Sequence, residues 1–307
     1  MKCAFMVNGR VKMKIAIVGA SGQLGFEIAE LLEGKVKGPK QIHAAYKDAE
    51  VIPIIHGQCD IADEDSVAKT FDGAGFDLII NCAAMTDVDA CETQKDRAQA
   101  ANVDGPKNLA CAAARSGAKF VHVSTDYVFS GTAHELYNED DATQPLTEYG
   151  LSKLRGEIAV AENCAKHFIV RTAWLYGRRG KNFVRTILFV AKERGAVKVV
   201  DDQVGSPTYA LDLACAILNL AATDKFGTYH CTNSGTCSWF EFAKEFLEMS
   251  GLKDTASPCT TDEFPRPARR PAFSGLSTQK IESALGYKMR PWDEAINDFL
   301  KEISKEG

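Results

Sequence analysis

Lys14-Ile15-Ala16-Ile17-Val18-Gly19-Ala20-Ser21-Gly22-Gln23-Leu24-Gly25 is the stretch whose reading decides the fold. Its first five residues make a short apolar run of strand length. Three glycines follow at a G-x-x-G-x-x-G spacing, and a helical pattern opens at about residue 22. Glycine lets a chain turn tightly and lets its backbone approach a pyrophosphate. The helix behind the turn offers unpaired N–H groups and the positive end of its dipole. Strand, glycine turn and helix in that order are the context a dinucleotide site requires. Without that context the glycines would mark only a tight turn.

The pattern repeats outward from this stretch. Strands are expected over 41–46, 51–56, 77–81, 119–124 and 167–172, with helices over 98–116 and 148–163. Such alternation implies βαβ units and a parallel sheet covered on both faces. The expected fold is α/β, a Rossmann-type doubly wound parallel sheet with a smaller C-terminal substrate-binding lobe. We place the dinucleotide-binding domain at 13–175 and the lobe mainly at 176–307, with a return to the first domain near 197–225. Helices are expected over 182–194, 209–222, 239–249, 278–285 and 292–303, and strands over 197–201 and 226–231. Pro265, Pro267 and Pro271 keep residues 264–271 out of helix and central strand. Residues 1–12 read as an extension, without the apolar core of a signal peptide, and Met13 is a candidate start.

Composition excludes several classes. Lys+Arg 36 against Asp+Glu 41 gives a net charge of −5, the wrong sign for a non-specific nucleic-acid binder. No run approaches the ~18 apolar residues of a membrane span. The expectation is a cytoplasmic protein with no nucleic-acid or membrane partner. The 10 cysteines include no C-x-x-C pair, so they read as small apolar residues of a reducing compartment. His134-Glu135 lacks a second His at the zinc-protease spacing, and no metal site is expected.

Cofactor choice turns on the end of the second strand. If that strand is 41–46, Lys47 could meet a 2′-phosphate and Asp48 could hold a ribose; we favour NADPH, with NADH the alternative. Asp60 would end a third strand, either accepting from an adenine amino group or capping the next helix.

Tyr149 and Lys153 lie four apart in a helical segment and share a face. A nearby ammonium favours the phenolate. Such a tyrosine can donate a proton to an alkoxide formed when hydride reaches a carbonyl carbon. Thr125 ends the strand upstream, at the sheet edge where ligands bind, and can hydrogen-bond the same oxygen.

Six segments together carry a resemblance: 19–25 (GASGQLG), 81–92 (NCAAMTDVDACE), 124–131 (STDYVFSG), 149–153 (YGLSK), 171–177 (RTAWLYG) and 202–212 (DQVGSPTYALD). The chain resembles the extended short-chain dehydrogenase/reductase superfamily and, within it, the dTDP-4-dehydrorhamnose reductase family, over residues 14–299. The resemblance implies reduction of the 4-keto group of dTDP-4-dehydro-6-deoxy-L-mannose by NADPH or NADH, giving dTDP-L-rhamnose. It makes Tyr149 the proton donor, Lys153 its partner and the holder of the nicotinamide ribose, and Thr125 the third catalytic residue. It places Gly19, Ser21, Gly22, Gln23, Leu24, Asp60, Ile61, Ala83, Ala84 and Thr86 along the cofactor, with Asn102 either beside it or capping a helix. Asp126, Tyr127 and Trp174 would touch the sugar, though Trp174 also reads as a core residue. Arg266, Arg269 and Arg270 suit a diphosphate or a solvated loop.

Some members form dimers through Mg2+ held by carboxylates. Glu27 matches one such position, but Asp212 is displaced from another, so a metal link is not supported and the chain is expected as a monomer or homodimer. Two alternatives stay open. One is another nucleotide-sugar epimerase or reductase on the same fold; a 4,6-dehydratase would need a Glu where Tyr127 stands. The other is a non-catalytic regulatory subunit resembling that of methionine adenosyltransferase.

Overall fold

The computed structural model describes residues 6–7 and 10–305. The reading of residues 1–12 as an extension falls partly outside them, as does Cys3. Six parallel strands form the central sheet: β1 (Lys14–Val18), β2 (Glu50–Ile54), β3 (Leu78–Asn81), β4 (Lys119–Thr125), β5 (His167–Thr172) and β6 (Gly227–His230). They lie in the order β6-β5-β4-β3-β1-β2. Order reverses at β1, which has β2 on one side and β3 on the other. The crevice at such a switch point is where open α/β sheets bind ligands.

β1 shows why the run is apolar throughout. Ile15 and Ile17 pack into the core on one face of the sheet, Ala16 and Val18 into the core on the other. A strand covered on both faces cannot alternate with polar residues. One face carries α1 (Gln23–Leu32), the other α2 (Glu64–Phe71), α3 (Gly105–Ser116) and α4 (Glu148–Asn163). Helix α5 (Phe183–Arg194) and the short strand Val197–Val200 lie outside the central sheet. The chain then returns: α6 (Ala210–Ala221) packs on α1, and β6 joins the sheet beside β5. Helices α7 (Trp239–Met249), α8 (Gln279–Leu285) and α9 (Trp292–Ile303) complete the chain. No helix among the described residues is long and apolar enough to cross a membrane. The nine described cysteines are free, seven of them buried.

One expected strand is absent. Residues 41–46 form no strand; Ala44–Tyr46 is a single tight helical turn, and Tyr46 is buried with its hydroxyl donating to Leu218 O at 2.7 Å. Burial of that ring against α6, not strand pairing, accounts for the apolar residues there. The second strand is therefore Glu50–Ile54, with Ala45–Asp48 ahead of it. Asp60 ends no strand; it lies in the loop before α2, and Asp63 is that helix's N-cap.

Candidate active site

The turn after β1 needs its glycines. Gly19 has φ +77°, and a Cβ there would lie 2.7 Å from Ala83 N. The loops after β1 and β3 thus touch backbone to backbone. Between them and the end of β2 opens a cavity of about 530 Å³, lined by Gly19, Ser21, Gly22, Asp60, Ile61, Ala83 and Ala84 from the expected cofactor set. His56, Cys82, Met85 and Arg97, which the sequence reading missed, also line it. His56 could have been found by taking the expected strand 51–56 as the second strand and not the third.

The other expected cofactor residues do not line this cavity. The Gln23 carbonyl accepts from Asn182 Nδ2 at 3.2 Å, and Leu24 is in the core. Asn102 is fully buried and clamps the loop after β3: its amide accepts from Met85 N and donates to Met85 O and to Ser152 Oγ, at 2.9, 3.1 and 3.0 Å. Thr86 follows that clamped residue without lining the cavity. Lys47 and Asp48 precede β2, beside Met13, whose carbonyl accepts from Glu50 N at 2.8 Å. They sit at the amino edge of the sheet and cannot meet a ligand at the carboxyl edge.

Thr147 caps α4, its hydroxyl accepting from Gly150 N at 3.1 Å, and Tyr149 stands in the first turn. A Cβ on Gly150 would lie 2.2 Å from Tyr127 O. This bare backbone lets α4 press against the loop after β4 and brings Tyr149 beside Thr125 and Tyr127. The Tyr127 and Tyr149 rings meet edge to face at 5.5 Å. Tyr149 meets Tyr127, a wall of a second cavity, and shares a buried cluster with Cys91 and Ala98 on which Met85, a wall of the first cavity, packs.

Burial pushes the Tyr149 phenol above its ordinary range, and a hydrogen bond with Thr125 opposes this. Lys153 shares the Tyr149 face of α4, but its ammonium is turned to the sheet. It donates to Val123 O at 2.7 Å and lies 3.4 Å from His122 Nε2. Burial lowers Lys153 to about 8. Asp126 is buried and lifted by desolvation to about 6, although the hydroxyls of Ser274 and Thr125 oppose that shift. Thr125 Oγ1 donates to Asp126 Oδ1 at 2.9 Å, while Asp126 Oδ2 is buried with no hydrogen-bond partner.

The second cavity, about 660 Å³, runs from Tyr127 between α5 and α7. Phe183, Ile187, Val200, Gln203 and Trp239 line it, with Arg266 and Arg270 at the Pro-rich loop. Arg269 faces a separate hollow with Ser130 and His134. Arg270 pairs with Asp89 at 3.0 Å. Trp174 has the left-handed φ of 47° and stacks on Trp239 at 3.5 Å, with interplanar angle 5°. One face of its ring is therefore already covered.

The carboxylates considered for Mg2+ do not fit it. Arg178 grips Glu27 through Nε at 3.0 Å and Nη2 at 2.5 Å, and Arg290 grips Asp212 at 2.7 and 2.8 Å. No group of three or more His, Cys, Asp or Glu among the described residues is arranged to hold a metal.

A parallel sheet, a glycine turn at its switch point and a Tyr–Lys helix at the same edge define a Rossmann-type oxidoreductase. Comparison with known proteins narrows the class. Residues 13–305 match the family model described as RmlD substrate binding domain. The spore coat polysaccharide biosynthesis protein SpsK of Bacillus subtilis is 42% identical, over 95% of this chain and 98% of its own. A dTDP-4-dehydrorhamnose reductase of Mycolicibacterium smegmatis is 40% identical, over 94% of this chain and 86% of its own. The crystal structure of a Bacillus anthracis dTDP-4-dehydrorhamnose reductase in complex with NADP superposes with TM-score 0.87, at 39% identity, covering 95% of this chain and 99% of that one. The chain belongs to the dTDP-4-dehydrorhamnose reductase family.

Proposed function

We propose that this chain reduces the 4-keto group of dTDP-4-dehydro-6-deoxy-L-mannose to give dTDP-L-rhamnose, with NADPH as the preferred reductant. The observation that carries the reading is the place of Tyr149, edge to face with Tyr127 of one cavity and in a buried cluster on which Met85 of the other cavity packs. A donor so placed reaches a carbonyl held between cofactor and sugar sites. The glycine turn, Asp60, Ala83 and Ala84 fit a dinucleotide, because a side chain at Gly19 would fill the cradle. The bound nicotinamide supplies the hydride.

Thr125 and Tyr149 hold the keto oxygen, and Tyr149 gives it a proton as negative charge develops there. The unpartnered Asp126 Oδ2 accepts from a sugar hydroxyl, which repairs its buried vacancy. Arg266 and Arg270 face the diphosphate, and Phe183 and Trp239 offer apolar walls to the base. Preference for NADPH rests on the end of β2. Ile55, His56, Gly57 and Gln58 follow the strand, and none is the carboxylate that would hold a ribose diol.

The test is oxidation of NADPH, and of NADH in parallel, by purified protein supplied with the dTDP-keto sugar. Tyr149→Phe should lose most turnover, roughly 10²–10⁴-fold, with NADPH affinity nearly intact. Equal turnover in that variant refutes the mechanism. Tight cofactor binding without turnover in the unmodified chain moves the weight to another keto sugar or to the regulatory role.

A further inference from the structure

We infer that Asn81 and His122 are positioning residues that make the Lys153 ammonium ready to release its proton. The inference rests on the reading of Tyr149 as proton donor and adds what refills it.

The argument starts at the end of β3. Ala83 N donates to Asn81 Oδ1 at 3.0 Å, which fixes which end of the amide is oxygen. Asn81 Nδ2 therefore faces His122 Nδ1, at 3.2 Å. An amide NH₂ only donates, so Nδ1 must offer a lone pair. His122 is fully buried, and desolvation together with Lys153 holds its pKa well below the ordinary value. The ring is neutral, and its one proton sits on Nε2. Nε2 points at Lys153 Nζ, 3.4 Å away, its sole hydrogen-bond partner among the described residues.

An ammonium has three donors and no lone pair, so it meets Nε2–H donor to donor. The neutral amine has a lone pair and accepts. The imidazole thus favours the amine over the ammonium. Other groups facing Lys153 do not undo this. Glu157, one turn along α4, favours the ammonium, but Arg171 of β5 holds its carboxylate through hydrogen bonds of 2.7, 2.9 and 3.2 Å. Cys82, beyond β3, is pushed up to about 12 by burial and stays a thiol. Tyr149 on the same helix is held neutral by burial. Ser152, the residue before it, and Asn102, which bonds Ser152, are uncharged.

The proton balance of one turnover uses this device. Hydride adds to the carbonyl carbon, the Tyr149 proton adds to its oxygen, and the C=O bond becomes CH–OH. The phenolate left behind draws a proton from the Lys153 ammonium, four residues along α4, once that ammonium leaves its hydrogen bond to Val123 O. Nε2–H of His122 donates to the lone pair of the amine that results, and a proton from solvent restores the ammonium before the next turnover.

Nitrogen-15 NMR of the full chain tests the tautomer directly. His122 should carry its proton on Nε2 between about pH 6 and about pH 9; the opposite tautomer, or a cationic ring at neutral pH, overturns the inference. The ¹³Cε signal of Lys153, assigned by its loss in Lys153→Met, should titrate near the value of about 8 given above. In His122→Gln the amide oxygen can turn to the ammonium, and the midpoint should rise by about one unit or more, a tenfold change in proton affinity. Asn81→Asp offers a second route if the glutamine variant does not fold. Its carboxylate takes the Nδ1 proton and turns Nε2 into an acceptor, so the midpoint should rise again. An unmoved midpoint in either folded variant overturns the inference. None of these readings needs the sugar, so a failure of turnover counts against the proposed function alone.

Discussion

Gly150→Ala isolates the contact that sets the reacting geometry. The added Cβ would lie 2.2 Å from Tyr127 O, whereas real Cβ contacts essentially never fall below 3.0 Å. The first turn of α4 and the loop after β4 must therefore separate by at least 0.8 Å. Both partners are backbone-anchored, so rotation of a side chain cannot relieve the clash. Overpacking of this kind costs about 1–3 kcal/mol, which lowers Tm by roughly 2–5 °C in a chain of this size. The larger effect falls on chemistry. Tyr149 is carried by that turn and Thr125 by the strand before that loop, so the two donors part. A misplacement near 1 Å can cost about 10²-fold in kcat. The cofactor cavity is built from the loops after β1, β2 and β3 together with Arg97, Ala100 and Ala101, and Gly150 is not part of its lining. Steady-state kinetics beside NADPH fluorescence titration separate the two effects. The expected result is a kcat reduced about a hundredfold with cofactor Kd within about twofold. A variant with full kcat would refute the claim that this bare backbone contact positions the donor.

Three further outcomes follow from the site. Asp126 titrates at about 6 and is charged above that value, so KM for the keto sugar should rise as pH falls through it; Asp126→Asn should flatten that limb, and a limb unchanged in the variant counts against the sugar contact. Removing Arg178 leaves Glu27 charged and fully buried. Arg178→Met should therefore lower stability by about 3–5 kcal/mol in urea titration, and Glu27→Gln by clearly less; equal losses would deny the pair its role. Because arginines occupy both carboxylates once considered for Mg2+, turnover should survive exhaustive chelation with EDTA; loss of turnover that added Mg2+ restores would contradict it.

Much of the fold was legible because periodicity and burial agree. Residues 14–18, 77–81, 119–124 and 167–172 are each built around a short apolar run, and each holds a strand covered on both faces. The glycine turn was legible because its residue types answer a backbone demand, shown by the φ of Gly19. The wall of the second cavity was not. Phe183 and Trp239 stand at the first positions of α5 and α7, where a sequence pattern reports only a helix start. Side chains that converge from elements about fifty residues apart leave no local spacing to read. His122 did leave a signal, a polar residue inside the apolar run Phe120-Val121-His122-Val123.

The misplaced second strand shows how a local error reaches chemistry. Residues 41–46 have strand-like composition, but Tyr46 serves packing under α6 and the chain there turns. With no strand at 41–46, Glu50–Ile54 becomes the second strand, which transfers Lys47 and Asp48 from one edge of the sheet to the other. In a parallel sheet all carboxyl ends share one edge, so a residue's side of its strand decides whether it can meet the ligand at all. The residue types at 47 and 48 were suited to either cofactor and decide nothing, because they stand on the wrong side. His56 stands on the right one, on the wall of the cavity, and NADPH selectivity should follow that position: His56→Asp should move the kcat/KM ratio of NADPH to NADH toward NADH by tenfold or more, roughly 1.4 kcal/mol. A ratio unchanged by that carboxylate would mean that the end of β2 does not read the ribose.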